Sequence, residues 1–167
     1  FQENHSSPLP RTHQFALRAA EQALCGCSVA PDAVILGCTT GVMLVTDNLL
    51  LRRAATPSSC RYHGLHTVTA EVARRARCSG PALTVSTACS SGALALALAL
   101  RLLQSGRAKR VLAGGVDSLC RLTFFGFHAL QLVDATGPKP MDRRRRGMAV
   151  AEGAAMLLLS TEEGDTA

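Results

Sequence analysis

Aromatic residues and lysine are scarce in this 167-residue chain, and each scarcity narrows the classes of function that the protein can have. It has five Phe, one Tyr and no Trp, so its core must be built from Ala, Leu and Val. Proteins that bind single-stranded nucleic acid interleave aromatic with basic side chains, and that pattern is missing here. Lysine is nearly absent, so the net charge of +6 is carried almost wholly by arginine. Such a charge is equally compatible with an acidic protein partner or an anionic cofactor arm, and alone it does not assign a function.

Long apolar runs are also lacking. The longest uninterrupted stretch of Ala and Leu, Ala93 to Leu100, is far shorter than the ~20 residues that span a bilayer, so we expect a soluble protein without membrane insertion. The seven cysteines are irregularly spaced and no signal peptide is recognisable, which predicts reduced thiols in the cytoplasm. Cys25 and Cys27 are too close together for a zinc site, and the sequence predicts no metal and no cofactor.

The order of apolar runs and breaks predicts an α/β fold with a parallel or mixed sheet and helices on both faces. The polar segment 1–11 is predicted to be an N-terminal arm, 12–160 a single domain, and 161–167 a tail or linker. Thr12 is the predicted N-cap of the first helix. The predicted elements are helices over 12–24, 65–77, 90–104 and 119–132, buried strands over 33–38, 82–87 and 109–116, an uncertain loop and helix over 41–53, and an interrupted strand over 148–160. The helix over 90–104 is apolar all round, which is typical of a helix inside a protein.

The chemically most informative stretch is Val85 to Gly92, where a β-branched run ends at Cys89 and turns directly into a helix. A cysteine at the first turn of a helix meets unpaired backbone N–H groups and the positive end of the helix dipole, which favour a thiolate. The small neighbouring residues let a substrate carbonyl approach the sulfur. This pattern indicates a nucleophile for covalent acyl transfer. A buried structural cysteine is the alternative, because cysteine also packs as a small hydrophobic residue.

The segment Thr87 to Gly92 resembles the nucleophile motif of the β-ketoacyl-[acyl carrier protein] synthases, the condensing enzymes of fatty-acid and polyketide synthesis. Other family-like segments follow in the same order: Gly80-Pro81, Val111 to Gly115, Pro140-Met141-Asp142 with Arg145 and Gly147, and Glu152 to Leu159. The similarity covers roughly 12–160. It implies a thiolase-like fold, in which two similar βαβαβ halves face each other and usually pair into a dimer. This chain resembles the N-terminal half only, without its opening strand.

The resemblance implies that Cys89 takes an acyl group from acyl carrier protein and releases it to a carbanion made by decarboxylating malonyl-carrier. The implied partners are acyl carrier protein and a homo- or heterodimeric condensing-enzyme subunit. In the family, two second-half histidines, in His-Gly-Thr-Gly-Thr and Asn-His loops, serve the decarboxylation. Neither loop occurs here, and no catalytic role is assigned to any histidine of this chain, namely His5, His13, His63, His66 and His128. We therefore expect the isolated chain to be incomplete for condensation.

A second function stays open, that of a non-catalytic partner subunit similar to the chain-length factors that pair with condensing enzymes. The cysteine at position 89 weighs against it, and the missing histidine loops weigh in its favour. The chain also departs from the family pattern at Met141, Arg146 and Ala151. The family has an aspartate at the position of Arg146, so the Arg–Asp pair expected in this loop is missing here. The resemblance also implies that Arg145 forms a structural ion pair.

Four other groups of residues have competing interpretations. The arginines 143–146 are either an anion patch or a solvated loop, and the segment 37–41 is either a phosphate loop without its lysine or a turn at a strand end. Arg52, Arg53 and Arg61 either contact a carrier protein or are ordinary surface charge. Phe124, Phe125 and Phe127 either pack in the core or border an acyl pocket. By family resemblance, the strand leading to Thr87 is expected at a subunit interface.

Overall fold

The computed structural model describes residues 9–52 and 60–162. Its elements in chain order are α1 (Arg11–Ala23), β1 (Ala33–Gly37), α2 (Met43–Arg52), α3 (His66–Arg75), β2 (Ala82–Val85), α4 (Ser91–Gln104), β3 (Arg110–Asp117), α5 (Arg121–Ala129) and β4 (Gly153–Ser160). The strands form one sheet in the order β2-β1-β3-β4. Strand β1 is parallel to β2 and β3, whereas β4 is antiparallel to β3. The predicted α/β class with a mixed, mainly parallel sheet is confirmed.

Strand β1 lies at the centre of the core, and all five of its residues are buried. Because side chains alternate along a strand, Val34 and Leu36 pack in one cluster with α1 and α3, while Ile35 packs in another with α4. Small residues let both helix layers approach the sheet closely. The predicted placement of helices on both faces is therefore confirmed, and a core poor in aromatic residues is built from alanine, valine and leucine.

Two predicted burial patterns are wrong. Strand β2 ends at Val85, and its Ala82 and Leu83 are exposed, because β2 is an edge strand. Helix α4 is not enclosed on all sides, since Leu94 and Leu100 are exposed on the side away from the sheet. Its buried residues form a single stripe at every fourth position, namely Ser91, Ala95, Ala99 and Leu103. In the described part of the chain, nothing covers the other side of α4.

The start of the domain also differs from the prediction. Helix α1 begins at Arg11, after Pro10, and Thr12 lies inside it with its hydroxyl buried and bonded to the Gly41 carbonyl and the Ser118 hydroxyl. Thr12 therefore ties α1 to two loops and does not cap the helix. The predicted arm, apart from its last residues, lies outside the described residues, as does the predicted tail after Glu162.

At the end of the domain, Met148 forms an isolated bridge with Val133 and strand β4 runs from Gly153 to Ser160, so the interruption predicted at Glu152-Gly153 ends at Glu152. None of the seven cysteines, all of which lie within the described residues, forms a disulfide. Within the described ranges, none of the helices is both long and apolar enough to cross a membrane.

Candidate functional site

A cavity of about 860 Å³ opens at the carboxyl ends of the parallel strands β1 and β3. In open α/β sheets, this is the edge at which ligands bind. The lining residues come from the end of β1 and the loop after it (Gly37, Thr39, Thr40), the turn before α4 and its first residues (Ala88, Cys89, Ser91, Gly92), the end of β3 and the loop after it (Gly115 to Leu119), α5 and the residue after it (Leu122, Thr123, Gly126, Phe127, Leu130), and the start of β4 with a residue before it (Ala151, Gly153, Ala154, Ala155). The cavity wall is mostly apolar, as expected of a site for a small organic group.

Cys89 borders this cavity and is exposed, in the turn between β2 and α4. An exposed position excludes the interpretation of Cys89 as a buried structural cysteine. The turn is sharp, because the preceding residue, Ala88, has a left-handed backbone with φ of 54°. Cys89 lies two residues before the first helical residue, Ser91, and precedes the N-cap Ser90, so its predicted position in the first turn of the helix is wrong. The catalytic role of Cys89 remains a prediction at this point.

The two serines that follow Cys89 hold the turn together. The Ser91 hydroxyl accepts a hydrogen bond from the Thr87 N–H at 2.9 Å and donates to the Ala88 carbonyl at 2.6 Å. The Ser90 hydroxyl donates to the Thr87 carbonyl at 2.8 Å. Short hydroxyl side chains commonly satisfy backbone groups at helix starts in this way. The motif residues around Cys89 therefore have a local structural function, which fixes the backbone that carries the thiol.

Glycines allow the start of α4 to lie directly on the strand ends. A Cβ atom at Gly37 would lie 2.4 Å from the carbonyl carbon of Ser91, and one at Gly115 would lie 3.4 Å from the Cα of Gly92. Such contacts leave no space for a side chain at Gly37. Of the two interpretations of the segment 37–41, the structure therefore shows the turn at a strand end and not the phosphate loop.

Asp117, at the end of β3, organises that turn. Its carboxylate accepts hydrogen bonds from the Thr39 N–H at 3.1 Å and the Thr40 N–H at 2.8 Å. The Cys38 thiol lies 3.7 Å from the same carboxylate, and burial, reinforced by this negative charge, raises the pKa of Cys38 to about 12. Cys38 therefore stays protonated at neutral pH. Asp117 was not predicted as a site residue, although an acidic residue shortly after Gly114-Gly115 was the available signal in the sequence.

The wall opposite the strand ends is formed by α5, which has no buried residue. Phe127 lines the cavity, whereas Phe125 is exposed and contacts Phe124 edge-on, with ring centroids 5.4 Å apart. The prediction that the three phenylalanines pack in the core is therefore wrong. Phe127 has the position that the alternative interpretation, the border of an acyl pocket, requires.

Glu152 ties the outer rim of the cavity to α1. Its carboxylate accepts from Arg11 Nε at 2.9 Å and from the Leu119 N–H at 3.2 Å. The hydrogen bond from Arg11, followed by the one from Leu119 and the charge of Arg11, lowers the pKa of Glu152 against the opposing effect of burial. Leu119 and the neighbours of Glu152 both line the cavity. This ion pair thus joins α1, the loop after β3 and the start of β4.

The remaining sequence candidates lie away from the cavity. The arginines 143–146 are all exposed, as expected of a solvated loop, and Arg145 donates to the Asp142 carbonyl at 3.1 Å. Among the described residues, the expected carboxylate partner of Arg145 is not found. Arg61 is exposed over the Tyr62 ring, while Arg53 and the side chain of Arg52 lie outside the described residues.

The histidines are not part of the described cavity lining. His13 is buried beside Thr67, His63 bonds Thr46 at 2.8 Å, and His128 stacks on Phe124. His66 is exposed at the start of α3 and His5 lies outside the described residues.

Comparison with known proteins places these features in a family. Residues 3–164 match the family described as "Beta-ketoacyl synthase, N-terminal domain". The chain is 29% identical to the tetracenomycin polyketide synthase ketoacyl synthase alpha subunit of Streptomyces glaucescens, over 92% of this chain and 42% of that protein. It is 29% identical to 3-oxoacyl-[acyl-carrier-protein] synthase 2 of Rhizobium meliloti (strain 1021), over 89% of this chain and 41% of that protein.

Solved structures agree with this assignment. The ishigamide ketosynthase/chain length factor superposes with a TM-score of 0.80 at 26% identity, over 95% of this chain and 43% of that one. A type II polyketide synthase ketosynthase, solved with its acyl-carrier protein, superposes with a TM-score of 0.83 at 24% identity, over 92% of this chain and 44% of that one. The chain thus spans less than half the length of the relatives it matches. It has their thiolase-like fold and belongs to the β-ketoacyl synthase family, whose N-terminal domain it contains.

Proposed function

We propose that this chain acts in acyl transfer in fatty-acid or polyketide synthesis, with Cys89 as the acyl-accepting nucleophile. The observation that carries the proposal is the exposed Cys89 thiol at the rim of an apolar cavity of about 860 Å³. The Cys89 thiolate attacks the carbonyl carbon of an acyl thioester on acyl carrier protein. A new C–S bond to Cys89 forms, the C–S bond to the carrier breaks, and the carrier thiolate leaves and takes up a proton. The backbone N–H of Cys89 supplies one donor to the developing oxyanion.

The second step of the proposed reaction is condensation. Malonyl-carrier loses CO₂, the resulting carbanion attacks the thioester carbon, and the Cys89 thiolate is the leaving group. The carbanion needs a positioned group that stabilises its enolate form, and nucleophile and stabiliser act as one unit. The family motifs that carry this group do not occur in the sequence given. We therefore expect the isolated chain to accept an acyl group without forming β-ketoacyl product.

The proposed partners are acyl carrier protein and a second condensing-enzyme subunit, with 12–160 as the unit that engages them. Support comes from relatives, because one solved ketosynthase is in complex with its acyl-carrier protein and another is paired with a chain length factor. The exposed edge strand β2 offers a place for a second subunit. Seven free thiols fit a cytoplasmic setting, where thiols remain reduced.

The reactivity of Cys89 tests this proposal and the non-catalytic alternative together. Peptide mass spectrometry after iodoacetamide or cerulenin treatment gives the rate at which each of the seven thiols reacts. We expect Cys89 to react faster than a denatured thiol and to be acylated by acyl-carrier. Cys89→Ser should abolish acylation, whereas the matched control Cys25→Ser, at another exposed cysteine, should not. Tight heterodimers with a full-length synthase and an unreactive Cys89 would contradict the enzyme and support the partner subunit.

A further inference from the structure

The backbone of Ala88 is strained at the point that determines where Cys89 lies. Its φ of 54° is in the left-handed region, which is unfavourable for a non-glycine residue and persists only when surrounding contacts hold it. Ala88 directly precedes Cys89. Its conformation therefore sets the direction of both the Cys89 side chain and the Cys89 N–H.

A threonine from another element holds the Ala88 carbonyl. The Thr39 hydroxyl, 49 residues earlier in the loop after β1, donates to this carbonyl at 3.0 Å. Its oxygen lies 3.1 Å from the Ser91 hydroxyl oxygen, and Ser91 donates to the same carbonyl from its own N–H and hydroxyl. Ser90 and Ser91 hold the turn from within their own segment. Thr39 fixes the turn relative to the sheet.

Thr39 itself is anchored by Asp117. Both carboxylate oxygens lie within hydrogen-bond distance of the Thr39 N–H, at 3.1 and 3.2 Å, and one also accepts from the Thr40 N–H. Hydrogen bonds to a charged acceptor are stronger than those between neutral groups. A continuous set of contacts therefore runs from the end of β3, through the loop after β1, to the carbonyl that precedes Cys89.

We infer that Thr39, anchored by Asp117, is a positioning residue that orients the Ala88–Cys89 turn for acyl transfer. This inference rests on the proposed function of Cys89. Acyl transfer needs the sulfur and the Cys89 N–H aligned on one carbonyl group, whereas alkylation by iodoacetamide needs only an accessible thiolate. Loss of the Thr39 hydroxyl should therefore slow acylation much more than alkylation.

Three variants of the full chain test the inference. Thr39→Val removes the hydroxyl while keeping the shape, and Thr39→Ser retains the hydroxyl. Thr161→Val is the matched control, because Thr161 is exposed beside the Lys109 carbonyl, at the opposite end of β3 from the cavity. Each variant is acylated with an acyl thioester of N-acetylcysteamine and, separately, alkylated with iodoacetamide. The rate at Cys89 is measured by peptide mass spectrometry in both reactions.

We expect Thr39→Val to slow acylation of Cys89 about tenfold and to leave its alkylation within about twofold of the original. Thr39→Ser should restore acylation, and Thr161→Val should match the unaltered chain. Unchanged acylation in Thr39→Val, or an equal loss in both reactions, would overturn the inference. If the unaltered chain is not acylated at all, the proposed function fails. Hydrogen exchange then decides the positioning role, because Thr39→Val must speed exchange of the amides in 87–92, and unchanged exchange would overturn it.

Discussion

His13 is a buried titratable residue on α1, and its surroundings couple the stability of the fold to pH. Its Nε2 lies 3.1 Å from the Thr67 hydroxyl, its ring meets the Tyr62 ring edge-on, and its Nδ1 has no hydrogen-bond partner among the described residues. Burial lowers the pKa of His13 from 6.5 to about 4, against the opposing influence of the Glu71 carboxylate. The folded protein therefore favours the neutral imidazole ring. Between about pH 4 and pH 6.5, the His13 ring is protonated in the unfolded chain and neutral in the folded protein.

The consequence is a loss of stability on acidification. The contribution of His13 is fully present above the unfolded pKa of 6.5 and is lost as pH falls toward about 4. We expect the free energy of unfolding to fall by about 2 kcal/mol between roughly pH 7.5 and pH 5. Chemical denaturation at both pH values measures this. His13→Gln should flatten the dependence, and His66→Gln, at an exposed histidine, should leave it intact. Equal slopes for His13→Gln and the original chain would contradict the assignment.

At the same scale, Cys89 and Asp117 mark what a sequence can and cannot predict. The position of Cys89 in the turn between a strand and a helix was predictable because its signal, a run of small residues, is local. Asp117 was not, because its partners Thr39 and Thr40 are 78 and 77 residues away and meet it only when β1 and β3 pair. A site residue whose contacts depend on strand pairing gives no pattern along the chain.

At the scale of elements, alanine substitution at two glycines that line the cavity should change the stability of the fold in opposite directions. Gly126 lies within α5, and a Cβ atom there would meet nothing within 4 Å. Gly126→Ala should raise the free energy of unfolding by about 0.5–1 kcal/mol, because glycine lowers the stability of a helix interior. Gly37→Ala should lower it by about 1–3 kcal/mol, because the added methyl group would clash with the backbone of Ser91. Urea unfolding of both variants measures the difference, and a destabilised Gly126→Ala would contradict the open surroundings of α5.

The errors in the predicted elements concern burial more than their type. Apolar composition correctly predicted a strand at β2 and a helix at α4, because both patterns are local. Whether such elements are enclosed depends on what packs against them. Strand β2 is at the sheet edge and α4 packs on the sheet with one stripe only, so neither is covered on all sides. Apolar residues there predict a contact surface as readily as a core.

At the scale of the whole molecule, several of the exposed apolar side chains lie on or next to α4, α5, β2 and β4. They include Leu94 and Leu100 on α4, Leu122 and Phe125 on α5, Leu130 just after α5, Leu83 on β2 and Leu157 on β4. Extended apolar surface is typical of an interaction site. The chain spans 41–42% of the length of two relatives, so in a longer protein further residues can cover this surface.

The isolated chain should therefore self-associate through α4. Leu100 is 50% exposed there, and burying the exposed half of a leucine side chain contributes about 1 kcal/mol, so Leu100→Lys should weaken association about fivefold. Val29→Lys is the matched control, because Val29 is 47% exposed in the segment before β1, at the end of the sheet opposite the cavity. Sedimentation velocity across a dilution series measures the dissociation constant of each variant. A chain that stays monomeric throughout, or equal weakening by both substitutions, would show that the exposed side of α4 does not drive association.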